Sequence, residues 1–186
     1  DAPAAADDAA STDEDQAVTL TAASLLANDS DVDGDTLSIS AVGAVLGGTV
    51  SLSGSDVVFT PTPNFNGAAS FEYTVSDGHG GTDTATVAVT VDPVNDAPTA
   101  GDDLASTDED QLLTLTVASL LANDSDVDGD VLSISAVGNA LGGTVSLSGS
   151  DVLFTPTLNF NGPASFEYTV SDGHGGTDTA TVAVTV

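Results

Sequence analysis

Residues 71–91 read FEYTVSDGHGGTDTATVAVTV, and this stretch decides the predicted fold. Apolar side chains occupy every second position in its two halves, at Phe71, Tyr73, Val75, Val87, Val89 and Val91. Such alternation is typical of a half-buried β-strand, because successive side chains of a strand point to opposite faces. The glycines between the two halves favour a turn. The stretch therefore predicts two strands separated by a glycine-rich turn.

The same alternation marks four shorter runs upstream. They contain Val18 and Leu20, Leu37 and Ile39, Val50 and Leu52, and Val57 and Phe59. A weak leading strand over residues 5–11 brings the predicted count to seven, and the only helical feature expected is one short turn within residues 22–27. Seven short strands of this spacing predict an all-β fold, a seven-stranded antiparallel β-sandwich of the immunoglobulin type.

The chain contains this pattern twice. Asp1 matches Asp96 and Val91 matches Val186, and 79 of the 91 shared positions are identical. A repeat of this length is a whole domain rather than a solenoid unit. We therefore predict repeat 1 at residues 1–91, a linker at 92–98 and repeat 2 at 99–186. An odd number of strands places the two termini of a repeat at opposite ends, so we expect the sandwiches to lie end to end, as part of a longer array.

Charge limits the partners of the chain. Its 186 residues include 29 Asp and Glu but no Lys or Arg, which gives a formal net charge of −29. Nucleic acids and anionic membranes attract basic surfaces, so both are excluded as electrostatic partners. Divalent cations are the partners that such a chain invites. No apolar run reaches membrane-spanning length, so we expect no insertion into membranes. The absence of Cys fits a secreted protein that does not rely on disulfides. We expect the fragment to be monomeric.

Carboxylates are concentrated in SLLANDSDVDGD at residues 24–35, which recurs unchanged at residues 119–130. Acidic residues occupy every second position of its second half, at Asp29, Asp31, Asp33 and Asp35. Calcium takes six to eight oxygen ligands in flexible geometry, so this array suits it. Aligned on an EF-hand loop, the twelfth position is Ser40 rather than Glu, so further oxygens must come from elsewhere. The alternative is a solvated acidic turn, because Asp, Asn and Gly are ordinary turn residues.

Three motifs together carry a family resemblance. LLANDSDVDGDTLSI, FTPTPNFNGAASFEYTVSDG and the linker segment VNDAP resemble the bacterial cadherin-like, immunoglobulin-like tandem repeats of giant RTX-type adhesins. The resemblance implies extender repeats that calcium stiffens and that hold a distal binding region away from the cell. It also implies an extracellular location at a bacterial surface after type I secretion, with calcium ions and neighbouring repeats as partners.

The resemblance also implies a calcium ligand set. Motif by motif, it assigns the linker junction to Glu14, Asp92, Asn95, Asp96, Asp126, Asp128 and Asp172. It assigns an upstream junction to Asp1, Asp31, Asp33 and Asp77, and a downstream junction to Glu109. The acidic run extends beyond the cadherin motif at Asp29, Asp35, Asp124 and Asp130, which leaves open an additional ion within the loop. The expected base motif with Asp and Glu two positions apart is absent, so the ion count and a role for Asn64 or Asn66 also stay open.

Two other functions are weighed against the spacer. A module that binds carbohydrate or a cell surface needs exposed aromatic residues, and only 4% of the chain is aromatic, nearly all at core positions. An enzyme is not expected, because nucleophilic catalysis has no Cys or Lys to use. His79 and His174 lie in glycine-rich turns and are interpreted as turn residues rather than metal ligands. The GHGGTD segment resembles an RTX nonapeptide, but it occurs only once per repeat.

Overall fold

The computed structural model describes residues 1–186 as two compact units, Asp1–Val94 and Asn95–Val186. Each unit has its own hydrophobic core and its own pair of sheets. Strands β1 to β7 belong to the first unit and strands β8 to β14 belong to the second, numbered along the chain.

The first unit contains seven strands and one helical turn. The strands are β1 Asp8–Asp13, β2 Val18–Leu20, β3 Ser38–Leu46, β4 Gly48–Ser53, β5 Asp56–Pro61, β6 Gly67–Ser76 and β7 Thr82–Asp92. One sheet has the order β1-β7-β6-β3 and the other has the order β2-β5-β4. Helix α1, Ala22–Leu25, begins after Thr21, whose hydroxyl accepts the N–H of Ser24 at 3.2 Å. Leu25 is buried and anchors the turn to the core.

The second unit repeats this arrangement. Its strands are β8 Asp103–Ser106, β9 Leu113–Thr116, β10 Ser133–Leu141, β11 Gly143–Ser148, β12 Asp151–Pro156, β13 Pro163–Ser171 and β14 Thr177–Thr185. Helix α2, Val117–Leu120, continues into a 3-10 turn, Leu121–Asn123. The sheets have the orders β10-β13-β14-β8 and β11-β12-β9.

The predicted all-β sandwiches are confirmed in both units, with one difference in the leading strand. In the first unit it begins at Asp8 rather than near Ala5, and it pairs with β7 in parallel, as β8 pairs with β14 in the second unit, while the other pairings are antiparallel. The physical reason for the later start is that side chains bind the backbone that precedes β1. Asp83 accepts the N–H of Ala5 and Asp29 accepts the N–H of Ala6, both at 2.8 Å, so these amides are not available to a sheet.

The cores follow the alternation seen in the sequence. In the first unit, Phe59 and Phe71 are fully buried and stack with their ring centroids 5.9 Å apart. The intervening residues of β6 point away from the core, as the pleat of a strand requires. Burial of each large apolar side chain contributes about 1.5–3 kcal/mol. The sheets therefore form a firm scaffold for the loops at their ends.

Candidate metal centre

Three carboxylates meet in the acidic loop of each unit. Carboxylate oxygens of Asp126, Asp128 and Asp130 lie within 4.8 Å of one another in the second unit, and the same holds for Asp31, Asp33 and Asp35 in the first. Asp126 shapes the loop, because its Oδ1 accepts the N–H groups of Asp128 at 2.9 Å and Asp130 at 3.2 Å. The loop thus collects three negative charges in a space the size of one cation site.

One oxygen of each loop needs a partner. The Oδ2 atoms of Asp31 and Asp126 are buried and accept no hydrogen bond. A buried charged oxygen without a partner is costly, because it has lost its hydration without replacement. A calcium ion would satisfy it, since calcium binds carboxylate oxygens and accepts several in one site. The donor set of the loop therefore fits calcium.

The linker contributes polar groups to the loop of the second unit. The Asn95 side-chain amide donates to Oδ2 of Asp172 at 2.8 Å, and the backbone N–H of Asp96 donates to Oδ2 of Asp128 at 2.8 Å. In the first unit, the amino group of Asp1 contacts the Asp33 carboxylate in the equivalent place. The structure therefore brings Asn95 and Asp96 together with Asp126, Asp128 and Asp172.

Asp77 and Asp172 are buried at the glycine-rich turns of their units. Only 5% of Asp77 and 3% of Asp172 is exposed. The Asn95 amide and then the His174 backbone N–H hold the pKa of Asp172 below its usual value, and the His79 backbone N–H lowers the pKa of Asp77. Both carboxylates are therefore ionised and preorganised for a cation. Residue 176 must be Gly, because a Cβ there would lie 2.1 Å from Oδ2 of Asp172.

Glu14 joins the linker to the first unit. Only 3% of this residue is exposed, although it is a charged side chain in a loop. Its backbone N–H donates to the Asp92 carbonyl at 2.9 Å, and its Oε1 accepts the N–H of Val94 at 2.6 Å. The Asn66 amide reaches Oε2 at 3.5 Å, the outer limit of a hydrogen bond. Glu109, at the matching position of the second unit, is exposed.

Asp29 and Asp124 face a different set of groups from the rest of the acidic run. Oδ1 of Asp124 accepts the N–H of Gly101 at 2.8 Å, and the Tyr168 hydroxyl lies 3.3 Å from the same atom. Asp29 makes the equivalent contacts with Ala6 and Tyr73. Neither residue belongs to its loop's three-carboxylate group. The last Asp of each loop lies near a histidine instead, with Oδ1 of Asp130 3.5 Å from Nε2 of His174.

Tyr73 and Tyr168 have polar roles that the strand pattern does not predict. Both are fully buried, and each hydroxyl donates to a carboxylate of the leading strand at 2.8 Å, Asp8 in one unit and Asp103 in the other. Burial, followed by that carboxylate, raises the pKa of each tyrosine, so the hydroxyl keeps its proton. The strand alternation placed these residues in the core, but nothing in it indicated a polar partner. Asp15 accepts the N–H of Asn64 at 3.0 Å.

The fold and the acidic loops define the class as tandem β-sandwich domains with acidic loops suited to cations. The sequence profile of the cadherin-like domain matches residues 1–92 and 94–186, so the chain belongs to the cadherin-like domain family. Domains of this family are extracellular, bind calcium generally and are not enzymes. A search of curated proteins gave no match. No helix of the chain has the length and apolar character needed to cross a membrane.

Solved structures agree with this fold. Human mucin-like protocadherin EC1-2 is 19% identical with a TM-score of 0.52, and the match covers 99% of this chain and 97% of that one. Drosophila N-cadherin EC1-4 is 15% identical with a TM-score of 0.52, covering 100% of this chain and 49% of that one. An endo-fucoidan hydrolase of glycoside hydrolase family 107 is 21% identical over 100% of this chain, which spans 28% of the hydrolase chain, and its TM-score of 0.38 supports no argument about function.

Proposed function

We propose that the two repeats are calcium-rigidified spacers of a large bacterial surface adhesin, which hold a distal binding region away from the cell. The observation that carries this proposal is that three consecutive linker residues each donate a hydrogen bond to a carboxylate. The first unit binds the N–H of Val94 through Glu14, and the second unit binds Asn95 through Asp172 and Asp96 through Asp128. A short linker held by carboxylates at each step suits an ion-dependent joint.

The proposed ligands derive from these two sets of contacts. Calcium at the linker would be held by acidic residues of both sets and by the linker itself, namely Glu14, Asp92, Asn95, Asp96, Asp126, Asp128 and Asp172. A further joint, formed with a preceding repeat, would use Asp1, Asp31, Asp33 and Asp77, and Glu109 would serve a subsequent repeat. Asp35 and Asp130 complete the three-carboxylate groups and are proposed as additional ligands within each loop.

The mechanism is electrostatic. A chain with a formal net charge of −29 and no Lys or Arg has no internal cation to neutralise these groups. Without calcium, the carboxylates around the linker repel one another and the joint bends freely. With calcium their charge is neutralised, and the linker becomes stiff. Dissociation constants of about 10⁻⁴–10⁻³ M are expected, as for other extracellular modules.

The test is small-angle X-ray scattering of the 186-residue chain in millimolar calcium and in EDTA. Calcium is expected to convert a broad distribution of interatomic distances into a narrow one. The double variant Asp126→Asn with Asp128→Asn should stay broad in both buffers while each repeat remains folded. The control is Asp31→Asn with Asp33→Asn, which removes the same charge from the identical loop of the first unit, away from the linker. Identical profiles for the parent chain in calcium and EDTA would overturn the proposal.

A further inference from the structure

We propose that Asn123, Asp124 and Tyr168 form a linker clamp, which attaches residues 99–102, just after the linker, to the acidic loop. In this clamp Asp124 is a positioning residue for the calcium site and not a calcium ligand. The first unit has the equivalent clamp in Asn28, Asp29 and Tyr73. This inference rests on the proposed function, since it concerns how the same site is held in place.

The carboxylate of Asp124 is already occupied by protein groups. Its Oδ1 accepts the backbone N–H of Gly101 at 2.8 Å, and the Tyr168 hydroxyl lies 3.3 Å from Oδ1 and 3.4 Å from Oδ2. Asp126, two residues later, has a buried Oδ2 with no hydrogen-bond partner. One loop thus contains a carboxylate engaged by its own fold and a carboxylate with an oxygen left for an ion.

The Tyr168 hydroxyl lies between two carboxylates and donates its one proton to the nearer of them, that of Asp103. Its fully buried hydroxyl lies 2.8 Å from Oδ2 of Asp103 and 3.2 Å from the Leu120 carbonyl, besides its contacts with Asp124. Without this hydroxyl, no hydrogen-bond donor would lie between the negatively charged carboxylates of Asp103 and Asp124. The hydroxyl therefore joins the leading strand, helix α2 and the acidic loop.

Asn123 fixes the same segment from its other side. Its amide donates to the carbonyls of Gly101 at 3.0 Å and Asp102 at 3.1 Å. A Cβ at residue 101 would lie 2.8 Å from Nδ2 of Asn123, so Gly permits this close approach. The first unit has Ala6 at this position, and there the distance from Nδ2 of Asn28 to the Ala6 carbonyl is 3.4 Å. The contact with this one carbonyl is thus shorter in the second unit, whereas Nδ2 of Asn28 in the first unit also lies 3.3 Å from Oδ1 of Asp8.

The clamp acts on the ligands through a short, continuously bonded segment. Thr99 and Ser125 exchange two backbone hydrogen bonds of 2.7 and 3.0 Å, and Asp178 accepts the N–H of Ala100 at 2.8 Å. At the start of this segment the N–H of Asp96 donates to Oδ2 of Asp128. Residues 96–101 are therefore attached at both ends to one loop, which fixes the register between linker ligands and loop ligands.

The experiment compares Asp124→Asn, Tyr168→Phe and Asp126→Asn in the 186-residue chain. Calcium titration calorimetry gives the number of ions and their affinity, and amide hydrogen exchange reports on residues 99–101. Asp126→Asn should lower the number of ions or abolish the site. Asp124→Asn and Tyr168→Phe should keep the number and weaken the affinity about tenfold, as for groups that orient metal ligands. Exchange at residues 99–101 should accelerate in both, and saturating calcium should restore protection.

A purely structural role for the clamp predicts a different result. In that case both clamp variants would unfold at lower temperature with unchanged calcium affinity, and the proposal would be wrong. Loss of an ion from Asp124→Asn equal to that from Asp126→Asn would make Asp124 a ligand and overturn it as well. Gly101→Ala introduces the residue found in the first unit. Its amide exchange at residues 99–101 should be faster than in the parent and slower than in the two clamp variants. A parent chain that binds no calcium would instead refute the proposed function itself.

Discussion

Glu14 and Glu109 occupy matching positions in two nearly identical repeats, yet their surroundings differ. Glu14 is 3% exposed and binds the Val94 N–H, whereas Glu109 is exposed. The sequences around them are the same, STDEDQ in both repeats. In the first repeat the Asp92 carbonyl and the Val94 N–H bind Glu14 directly. These contacts with Asp92 and Val94 account for the burial of Glu14.

The acidic loops show the same dependence at the other end of a repeat. Asp172 accepts the Asn95 amide in addition to the turn N–H groups, whereas Asp77 has the turn N–H groups alone. The turns themselves, SDGHGGTD, are identical. The identical turns thus hold the carboxylate in both repeats, and Asn95 adds one further donor to Asp172. Four predictions separate the groups that the repeat provides from those that the linker adds.

The largest effect is expected for Gly176→Ala and its partner Gly81→Ala. A Cβ would lie 2.1 Å from Oδ2 of Asp172 or 2.2 Å from Oδ2 of Asp77, and 2.8 Å from the backbone of Ala97 or Ala2. Neither neighbour can move freely, so each variant should lose about 3 kcal/mol of unfolding free energy, the upper range for overpacking. Urea denaturation of each variant measures this. Unequal losses would show that the turn depends on the linker.

Glu14→Ala should cost about 1–3 kcal/mol, because it leaves the Val94 N–H without its acceptor and opens a space in a buried site. Glu109→Ala should change stability by less than about 0.5 kcal/mol, as is usual for an exposed side chain. Both variants remove one negative charge, so their difference isolates the contacts of Glu14. Thermal unfolding in calcium provides the measurement. Equal effects would mean that the burial of Glu14 contributes nothing.

A smaller effect is expected for Asn95→Ala. The Asn95 amide is the leading cause of the lowered pKa of Asp172, so its removal should raise that pKa towards the value of Asp77. NMR titration of the two side-chain carboxyl groups in calcium-free buffer compares them directly, with Asp77 as the internal control. The second repeat should be destabilised less than the first is by Glu14→Ala. An unchanged Asp172 pKa would refute the assigned hydrogen bond.

The strands and the acidic loop could be predicted from the sequence because both obey local rules. Alternation at Phe71, Tyr73 and Val75 identified β6. The spacing predicted one acidic array from Asp29 to Asp35, and the fold brings its last three carboxylates together. The resemblance to cadherin-like repeats is also confirmed. The strands and the loop depend on the periodicity of a strand or a turn, and that periodicity is visible in neighbouring residues of the sequence.

Contacts between distant residues could not be predicted in this way. The acidic run gave Asp29 and Asp31 the same appearance, although Asp29 binds Ala6 and Tyr73 while Asp31 keeps a buried oxygen without a partner. The start of β1 at Asp8 likewise follows contacts of Asp29 and Asp83 with the backbone upstream of the strand. Such differences arise from chain segments more than twenty residues apart, and spacing carries no information about them.

The smallest effect concerns Asp83 and Asp178, which should behave alike because both lie within a repeat. Backbone N–H donation, first from Ala5 or Ala100 and then from the next residue, lowers their pKa values. A lowered pKa in the folded state stabilises the fold above the unfolded pKa, near 3.9, and this contribution disappears as the pH falls through the folded pKa. Asp83→Asn and Asp178→Asn should therefore be less stable than the parent at neutral pH, by similar amounts, and should approach it in acid.

Urea denaturation in EDTA between neutral pH and pH about 3 makes this comparison without bound calcium. The difference in unfolding free energy between parent and variant should decrease on acidification for both substitutions, because protonated Asp and Asn both lack the charge. If the difference in unfolding free energy persisted in acid, the charge of these carboxylates would not be the stabilising feature. If only Asp178→Asn showed the effect, the attachment of the leading segment would depend on the linker after all, and the two repeats would differ in more than the groups around Glu14 and Asp172.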